Sequence, residues 1–288
     1  RYLPSKRFPD KALDVLDRAG ARALYAGDLT LQEPRLFDAV REIGGVVVDP
    51  ALDVDRGMPG LEAAIGRHVL RQEPAIAMVA EAVRVARMRL ESRMDRPSGA
   101  FLLTGPTGVG KTAVAEHLAR ALSGRDDALF RLDMSEFSDA HTAARLLGAP
   151  PGYIGYDDTP LLTRAIETCQ GGVLLLDEFE KAHPSVHRLF LQILDAGRAT
   201  DSSGRQLSFS GLTILATCNV GNDGAATVGF SSASLPGQAG VVPMAALRRV
   251  FPLELLNRFD ALVPFRQLGP DDAATILAEV IVRDANLN

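Results

Sequence analysis

The chain has 288 residues, of which 47% are hydrophobic and 23% are charged, and its formal net charge is −5 at pH 7. This length buries a substantial core in one or two domains. No apolar run approaches the roughly 20 residues that span a bilayer, and no leader sequence is visible, so we expect no membrane partner. The negative charge argues against a general affinity for nucleic acid.

Two further features bear on the origin of the chain. It begins at Arg1 rather than Met, so we interpret it as a piece of a longer protein. Cys169 and Cys218 lie in apolar surroundings without metal-ligand partners nearby. Because buried, reduced thiols are typical of a cytosolic protein, we expect the protein to be cytoplasmic.

The first part of the chain predicts helices separated by a connector. Apolar residues at i, i+3 and i+4 predict a helix over residues 9–24. Residues 25–60 contain several Gly and Pro and indicate a connector, interrupted by a short helix over 36–43 and a strand over 46–48. A long amphipathic helix is predicted over 73–94.

From residue 100 onwards, apolar runs alternate with helical patterns. Strands are predicted at 100–104, 128–132, 172–176, 212–217 and 261–265, helices at 112–122, 139–147, 160–169, 184–196 and 243–257, and a hairpin at 198–209. Strands separated by helices predict an α/β fold, in which a parallel sheet is covered by helices on both faces.

Residues 105–112 read Gly-Pro-Thr-Gly-Val-Gly-Lys-Thr, which matches the Gly-x-x-x-x-Gly-Lys-Ser/Thr pattern of a phosphate-binding loop. The loop sits between a strand and a helix, so backbone N–H groups and the helix N-terminus point at an anion. We therefore predict an ATP site. Lys111 would bind the β- and γ-phosphates, Thr112 would offer its hydroxyl to Mg²⁺, and the loop would contribute Gly105, Pro106, Thr107, Gly108, Val109 and Gly110.

A second polar cluster is predicted where two later strands end. The apolar run over 172–176 is followed by Asp177 and Glu178, and parallel sheets bind ligands at the carboxyl ends of their strands. Asp177 would hold Mg²⁺ through water and Glu178 would polarise the attacking water, although a helix N-cap would also explain such a pair. Asn219 ends the next strand, where it would orient that water, touch the γ-phosphate, or simply form a turn.

These segments together resemble the AAA+ ATPases of the Clp family, which are ring-shaped protein unfoldases. The segments that carry the resemblance to the second ATPase ring are 105–112, Asp-Met-Ser-Glu-Phe at 133–137, Gly-Ala-Pro-Pro-Gly-Tyr-Ile-Gly-Tyr at 148–156, Leu-Leu-Leu-Asp-Glu-Phe-Glu-Lys-Ala-His at 174–183 and Leu-Leu-Asn-Arg-Phe-Asp at 255–260. The resemblance implies a homo-hexamer that uses ATP and Mg²⁺ to unfold and translocate protein substrates.

The resemblance also implies a division of the chain into four parts. Residues 1–27 resemble the end of the helical small subdomain of a preceding AAA+ module, and 28–60 form the connector. Residues 61–268 correspond to the large ATPase domain, and 269–288 to the start of a truncated C-terminal small subdomain. Because a lid and a ring contact are missing, we expect the isolated fragment to bind ATP and hydrolyse it poorly.

Further site residues follow from the same resemblance. Asn219 matches the family's sensor position, and Arg258 matches the arginine finger that reaches the neighbouring subunit's γ-phosphate. A solvent-exposed salt bridge is the alternative interpretation of Arg258. Val69 and Leu70 match the adenine-contacting stretch, and the family's glycine at the next position is Arg71 in this chain.

Two loops correspond to the family's central pore. Tyr153 and Ile154 lie between glycines, and the family places this tyrosine where it grips an extended polypeptide. Composition alone equally allows Tyr153 to anchor its own loop. His141, at the end of Ser-Asp-Ala-His, matches a second pore-facing loop.

Two features select a branch of the family. The short spacing between the first helix and the ATPase domain leaves no room for the coiled-coil insertion of the disaggregase branch. Val228, Gly229 and Phe230 resemble the loop that docks into hydrophobic clefts of a ClpP-like peptidase, although a loop Phe also often packs against its own domain.

Three other functions stay open. One is a peptidase-independent Clp chaperone or a remodeller of secretion sheaths. A nucleic-acid-handling AAA+ motor shares the ATP site, but it needs a basic inner surface and leaves the Gly-Tyr-Ile-Gly loop without a role. A ring partner that binds nucleotide without hydrolysis is disfavoured by the intact Lys111, Asp177, Glu178 and Arg258.

Overall fold

The computed structural model describes residues 10–25, 27, 33–44, 60–88, 96–125, 127–139, 141–148, 159–169, 171–219 and 244–285. Two helices come first, α1 (Asp10–Tyr25) and α2 (Glu33–Gly44), and they pack against each other. Arg22 on α1 pairs with Glu42 on α2 at 3.0 Å. The helix predicted over 36–43 is therefore present and longer at both ends, whereas the predicted strand over 46–48 lies outside the described residues.

Five parallel strands form the central sheet, as predicted. The described residues form seven strands in all, of which β4 and β5 lie outside this sheet: β1 (Gly99–Thr104), β2 (Leu129–Asp133), β3 (Val173–Asp177), β4 (Arg198–Thr200), β5 (Gln206–Ser208), β6 (Thr213–Cys218) and β7 (Ala261–Pro264). The sheet has the order β2-β3-β6-β1-β7, and β4 and β5 form the predicted antiparallel hairpin. Consecutive strands of the sheet are joined by helical crossovers, because parallel neighbours cannot be joined by a tight turn.

Nine further α-helices and two short 3₁₀-helices, Met134–Phe137 and Phe179–Lys181, complete the described fold. The α-helices are α3 (Leu61–Gly66), α4 (Glu73–Met88), α5 (Lys111–Ser123), α6 (Ala144–Leu147), α7 (Leu161–Thr168), α8 (Pro184–Ala196), α9 (Met244–Val250), α10 (Leu253–Leu256) and α11 (Pro270–Ala285). None of the helices in the described ranges has both the length and the apolar content that crossing a bilayer requires.

The core has two halves, one on each face of the sheet. Phe101 and Leu103 of β1 pack among residues of α3, α4 and α5, whereas Ala100 and Leu102 pack among residues of α6 to α10. Since successive side chains of a strand point to opposite faces, covering both faces requires an uninterrupted apolar strand. This explains why all six residues of β1 are buried.

Two predicted helices were wrong in extent. In the segment predicted as a helix over 139–147, only α6 is helical, because Thr142 turns back to donate its hydroxyl to the Asp139 carbonyl at 2.7 Å. Such side-chain bonds compete with the helix. The segment predicted as one helix over 243–257 is two, α9 and α10, since Pro252 lacks an N–H donor and adopts φ −56° and ψ 138° between them.

Both cysteines are buried and neither is in a disulfide, as predicted. The Cys169 thiol donates to the carbonyl of Val173 at 3.3 Å. Burial raises the pKa of Cys169 to about 12, so it stays protonated at neutral pH.

The packing of β3 makes a stability prediction. Leu175 is fully buried on β3, and its truncation leaves a cavity in a sheet that is covered on both faces. We expect Leu175→Ala to lower the free energy of unfolding by about 2–5 kcal/mol. Leu253→Ala is the control, because 48% of Leu253 is exposed and surface changes stay within roughly 0.5 kcal/mol. Urea unfolding of both variants measures the difference, and equal midpoints would contradict the packing described.

Candidate functional site

The strand register gathers the ends of three strands at one edge of the sheet. Thr104 of β1 lies opposite Cys218 of β6, and Leu176 of β3 lies opposite Ala216 of β6. The residues that follow these strands therefore emerge together at the carboxyl edge, which is where parallel sheets bind ligands. The phosphate-loop, Asp-Glu and Asn219 segments, which the sequence analysis treated separately, form one site.

The phosphate-binding loop depends on glycine at its two close contacts. Gly105 and Gly110 have φ values of 142° and 100°, in the region that favours glycine. A Cβ at Gly105 would lie 2.7 Å from the Phe265 carbonyl oxygen, and one at Gly110 would lie 3.1 Å from Cγ1 of Val69. Both glycines thus let this phosphate cradle pack closely against Phe265 and Val69, and the loop leads into the 13-residue helix α5. Its shape fits phosphate oxygens bound by main-chain N–H groups.

Lys111 is buried at the centre of the site, with 6% of its surface exposed. Its Nζ donates to the carbonyls of Gly105 (2.7 Å) and Pro106 (2.5 Å) and to Oδ1 of Asn219 (2.9 Å). Burial lowers the pKa of Lys111, and nearby carboxylates, foremost Glu180, oppose that shift. The three oxygen acceptors satisfy all three donors of a buried ammonium.

Asn219 connects Lys111 to Glu178. Its Nδ2 donates to Oε1 of Glu178 at 3.2 Å, and its backbone N–H donates to Oε1 of Glu180 at 3.0 Å. Glu178 itself adopts φ 55°, a left-handed conformation that is costly for a residue with a side chain. Its Oε2 pairs with Lys181 Nζ at 2.6 Å. The amide of Asn219 therefore fixes the carboxylate of Glu178 relative to the ammonium of Lys111.

Asp177 and Thr112 supply the oxygen ligands that Mg²⁺ prefers. Asp177 is buried at the end of β3, where its Oδ1 accepts from the Thr217 hydroxyl and its Oδ2 pairs with Arg131, each at 2.5 Å. Thr112 is the second residue of α5. A carboxylate and a hydroxyl beside the phosphate cradle fit a hydrated Mg²⁺, because that ion keeps several of its waters.

A pocket beside the phosphate loop contains the two residues predicted to contact adenine, Val69 and Leu70. The other residues that line it are His68, Gly108, Val109, Gly110, Ala113, Leu268, Ile276 and Glu279. Arg71, at the position where the family has glycine, adopts φ 63°, which is the left-handed conformation that a glycine takes readily. The backbone there is thus compatible with the family pattern, and the arginine side chain is an addition.

Arg258 lies away from the other predicted catalytic residues of the same chain. It precedes Asp260, whose N–H donates to the carbonyl of Ala100 at the start of β1, whereas the phosphate loop follows the end of β1. A six-residue strand is about 17–20 Å long, so Arg258 sits at the opposite edge of the sheet. There its Nε lies 3.0 Å from Oδ1 of Asp195 with 32% of the side chain exposed.

The remaining predicted residues divide between exposed and undescribed positions. His141 is exposed in the turn before α6. The pore residues Tyr153 and Ile154 lie outside the described residues, and so does the docking segment Val228, Gly229 and Phe230.

Three site residues were missed in the sequence analysis: Thr217, Arg131 and Glu180. The hydroxyl of Thr217 contacts Asp177 and also accepts the backbone N–H of Glu178 at 3.0 Å. A threonine near the carboxyl end of a mostly apolar buried strand was the available signal for this role. Arg131 and Glu180 had no such signal, because each depends on which strands are neighbours.

Comparison with known proteins agrees with this geometry. Residues 96–262 match the family model of the AAA domain (Cdc48 subfamily), and residues 1–41 match that of an AAA lid domain. The first match covers more than half of the chain and contains the phosphate loop, Asp177, Glu178 and Asn219. The chain belongs to the Clp-type AAA+ ATPases. The predicted fold and the predicted enzyme class are confirmed.

The individual relatives are longer than this chain. It is 34% identical to the ATP-dependent Clp protease ATP-binding subunit ClpE of Bacillus subtilis over 96% of the chain and 47% of that protein. It is 38% identical to the probable chaperone protein ClpB 1 of Chlorobaculum tepidum, over 93% of the chain and 63% of the relative. A closed-state Hsp104 structure with ATPγS and casein matches with a TM-score of 0.76 and 30% identity, over 98% of the chain and 49% of Hsp104. The chain thus spans about half the length of these relatives.

His187 is a buried histidine directly beneath the Asp-Glu segment. Its Nε2 lies 3.0 Å from the Phe179 carbonyl oxygen, and its ring packs against Phe179 and Phe251. Burial lowers the pKa of His187 below its ordinary value. Since the unfolded chain then takes up a proton at higher pH than the folded one, this residue lowers stability as the pH falls through about 6.5 and below.

We therefore expect a histidine-dependent loss of stability on acidification. In the wild type, the free energy of unfolding should fall between pH 7.5 and pH 5.5, and in His187→Phe this fall should be smaller because the titrating group is gone. Urea titrations at several pH values measure it. His141→Asn removes an exposed histidine and should keep the wild-type dependence. An unchanged slope in His187→Phe would contradict the assignment.

Proposed function

We propose that this chain is the ATP-hydrolysing part of a hexameric, ring-forming protein unfoldase. The observation that carries the proposal is the hydrogen-bonded series from Lys111 through Asn219 to Glu178, placed between the phosphate cradle and the end of β3. This arrangement links the group that would bind the γ-phosphate to the group that would prepare the attacking water. A nucleotide-binding module without hydrolysis would have no use for it.

ATP binding would begin at the phosphate loop. The ammonium of Lys111 would exchange its bonds to the carbonyls of Gly105 and Pro106 for charge-assisted bonds to phosphate oxygens. The base would enter the pocket formed by Val69 and Leu70. Thr112 and Asp177 would hold Mg²⁺, which when bound neutralises charge on the β- and γ-phosphate oxygens.

Hydrolysis would depend on Glu178. Its carboxylate would accept a proton from the water that attacks the γ-phosphorus, while the bond from Asn219 keeps it oriented. The backbone bond to Thr217 fixes the strained segment from which this side chain projects. Arg131 and Thr217 hold the Asp177 carboxylate in place, because both donate to its oxygens.

Ring assembly would complete the site. Arg258 lies about a strand length from its own phosphate loop and therefore cannot serve it. At an interface between subunits, Arg258 would reach the γ-phosphate bound to the neighbouring subunit and stabilise the charge of the transition state. Asp195 holds this guanidinium, and Arg96 also binds Asp195, at 2.6 Å.

The substrates we propose are polypeptides. The support is the similarity to Clp proteins and to Hsp104, whose structure contains casein, together with the Gly-Tyr-Ile-Gly loop of the sequence. We propose that residues 1–27 end the small subdomain of a preceding module, 28–60 connect, 61–268 form the large ATPase domain and 269–288 begin the next small subdomain. The protein would act in the cytoplasm.

Mixing two inactive variants tests the ATPase and the ring together. In the full-length protein, Glu178→Gln should bind ATP and lose about 10²–10⁴ in kcat, and Arg258→Ala should lose about 10³ or more. Equimolar mixing with subunit exchange should restore turnover at about a quarter of the sites, where an intact Glu178 meets a neighbour's intact Arg258. A coupled phosphate-release assay measures this.

The alternatives give different results in the same assay. If Arg258 served its own subunit, no subunit of the mixture would hold both groups, and mixing would restore nothing. Glu167→Gln changes an exposed carboxylate on α7 and should keep wild-type turnover. Full activity of Glu178→Gln would overturn the proposed function.

We further propose that the unfoldase delivers chains to a ClpP-like peptidase through Val228, Gly229 and Phe230. The sequence resemblance of this loop supports the proposal, as does the similarity to a Clp protease subunit. The similarity to ClpB chaperones makes a peptidase-independent chaperone the second candidate.

Two loop variants should separate gripping of the substrate chain from its delivery to the peptidase. Full-length Tyr153→Ala should keep ATPase activity and lose both unfolding and degradation of a tagged fluorescent protein, because grip on the chain is lost. Phe230→Ala should keep unfolding and lose only degradation with ClpP added. Fluorescence decay and gel analysis measure the two steps. Degradation unaffected by Phe230→Ala would overturn the docking role of this loop, whereas unfolding without any degradation in the parent protein would favour the peptidase-independent chaperone.

A further inference from the structure

Arg71 keeps a side chain where the backbone favours glycine. Among the described residues, Arg71 and Glu178 are the non-glycine positions with positive φ, and Glu178 belongs to the hydrolytic site. A left-handed conformation persists for such a residue only where surrounding contacts hold it, and these residues cluster at functional sites. The contacts of the Arg71 guanidinium therefore point to what it does.

The guanidinium of Arg71 reaches the first two turns of α11. Its Nη2 donates to the Thr275 hydroxyl at 3.1 Å, and its Nε lies 3.8 Å from Oδ1 of Asp272. Arg71 directly follows Leu70, on one wall of the base pocket. Ile276 and Glu279 of α11 line the same pocket. One side chain thus connects two of the segments that form the pocket.

A second arginine reinforces this connection from the other side. Arg266 donates from Nε to the Arg71 carbonyl at 2.9 Å and binds both oxygens of Asp272, at 2.6 and 2.8 Å. The same carboxylate accepts the N–H of Gly269 at 3.0 Å, which caps the start of α11. The Arg266 guanidinium holds the pKa of Asp272 well below its usual range, so the carboxylate remains charged.

Gln72, the residue after Arg71, binds Arg266 beneath the surface. It is 1% exposed, and its side-chain amide both donates to the Arg266 carbonyl (2.9 Å) and accepts the Arg266 N–H (3.2 Å). The segment of Arg71 and Gln72 is therefore held to Arg266 beneath the surface. The Arg71 guanidinium extends this contact to Thr275 on α11. We call Arg71, Arg266, Asp272 and Thr275 the arginine clamp.

We propose that Arg71 is a positioning residue that holds α11 over the base pocket and thereby slows nucleotide release. This rests on the proposed function, since it requires that the base of ATP occupies the pocket beside Val69 and Leu70. Within the part of the chain that the structure describes, no hydrogen bond joins the clamp to Lys111 or Glu178. Its loss should therefore weaken nucleotide binding and leave the chemical step intact.

The test compares glycine and arginine at the same backbone conformation. Arg71→Gly keeps φ 63° accessible, so it removes the guanidinium without disturbing the chain. In full-length Glu178→Gln, which binds without turnover, a fluorescent ATP analogue is displaced by excess ATP in a stopped-flow instrument. We expect Arg71→Gly to raise the dissociation rate about 10-fold, the effect of losing one charge-assisted bond, with an unchanged association rate.

The other end of the clamp provides a matched variant. Thr275→Val removes the hydroxyl acceptor with little change in shape and should raise the release rate in the same direction. The double variant should be no faster than Arg71→Gly alone, because the bond between Arg71 and Thr275 is already lost in Arg71→Gly. Arg84→Ala is the control, since Arg84 pairs with Glu62 and Glu81 on the helices α3 and α4.

The steady-state readout separates positioning from catalysis. With Glu178 intact, Arg71→Gly should raise KM and keep kcat within twofold. Release rates within twofold of the parent, or a lower kcat with unchanged KM, would overturn the clamp while leaving the proposed ATPase standing. A parent protein that does not bind the analogue at all would overturn the proposed function, and the clamp with it.

Discussion

The site is organised around one buried cation. An ammonium with 6% exposure is stable only if its donors are satisfied, and Lys111 finds its acceptors on two separate segments, the phosphate loop and the end of β6. These segments meet only because β1 and β6 are paired in register. The position of Lys111 thus depends on the parallel sheet, and the orientation of Asn219 and Glu178 depends on Lys111.

Positive φ values occur at two kinds of position around the site, the glycines of the phosphate loop and the non-glycine residues Glu178 and Arg71. At the phosphate loop, positive φ values fall on glycines, so the chain approaches a ligand closely without strain. At Glu178 and Arg71, the same conformation falls on residues with side chains, and in both cases that side chain bonds to another element. The phosphate loop therefore contributes its main chain, whereas Glu178 and Arg71 contribute their side chains.

Much of the fold and the site could be predicted from the sequence. The continuous apolar strands and the helices between them gave the parallel sheet, and the polar residues after three strands gave Lys111, Asp177, Glu178 and Asn219. The predictions that were wrong or missing depended either on local hydrogen bonding and proline geometry or on contacts between distant segments. Thr142 and Pro252 ended helical patterns that apolar spacing alone had extended. Arg131 reaches the site only because β2 lies beside β3, and Glu180 contacts Asn219 only because β3 lies beside β6. Strand order cannot be read from any single segment.

The two buried thiols have a practical consequence. Cys169 is protonated at neutral pH, and both cysteines are shielded from solvent by the packed core. Thiol reagents react with accessible thiolates, so the native pair should stay silent towards maleimide dyes while the fold is intact. A cysteine introduced on the surface, for example on α11, could then carry a fluorophore in the otherwise native sequence. Movement of that helix relative to the sheet would become visible without first rebuilding the core.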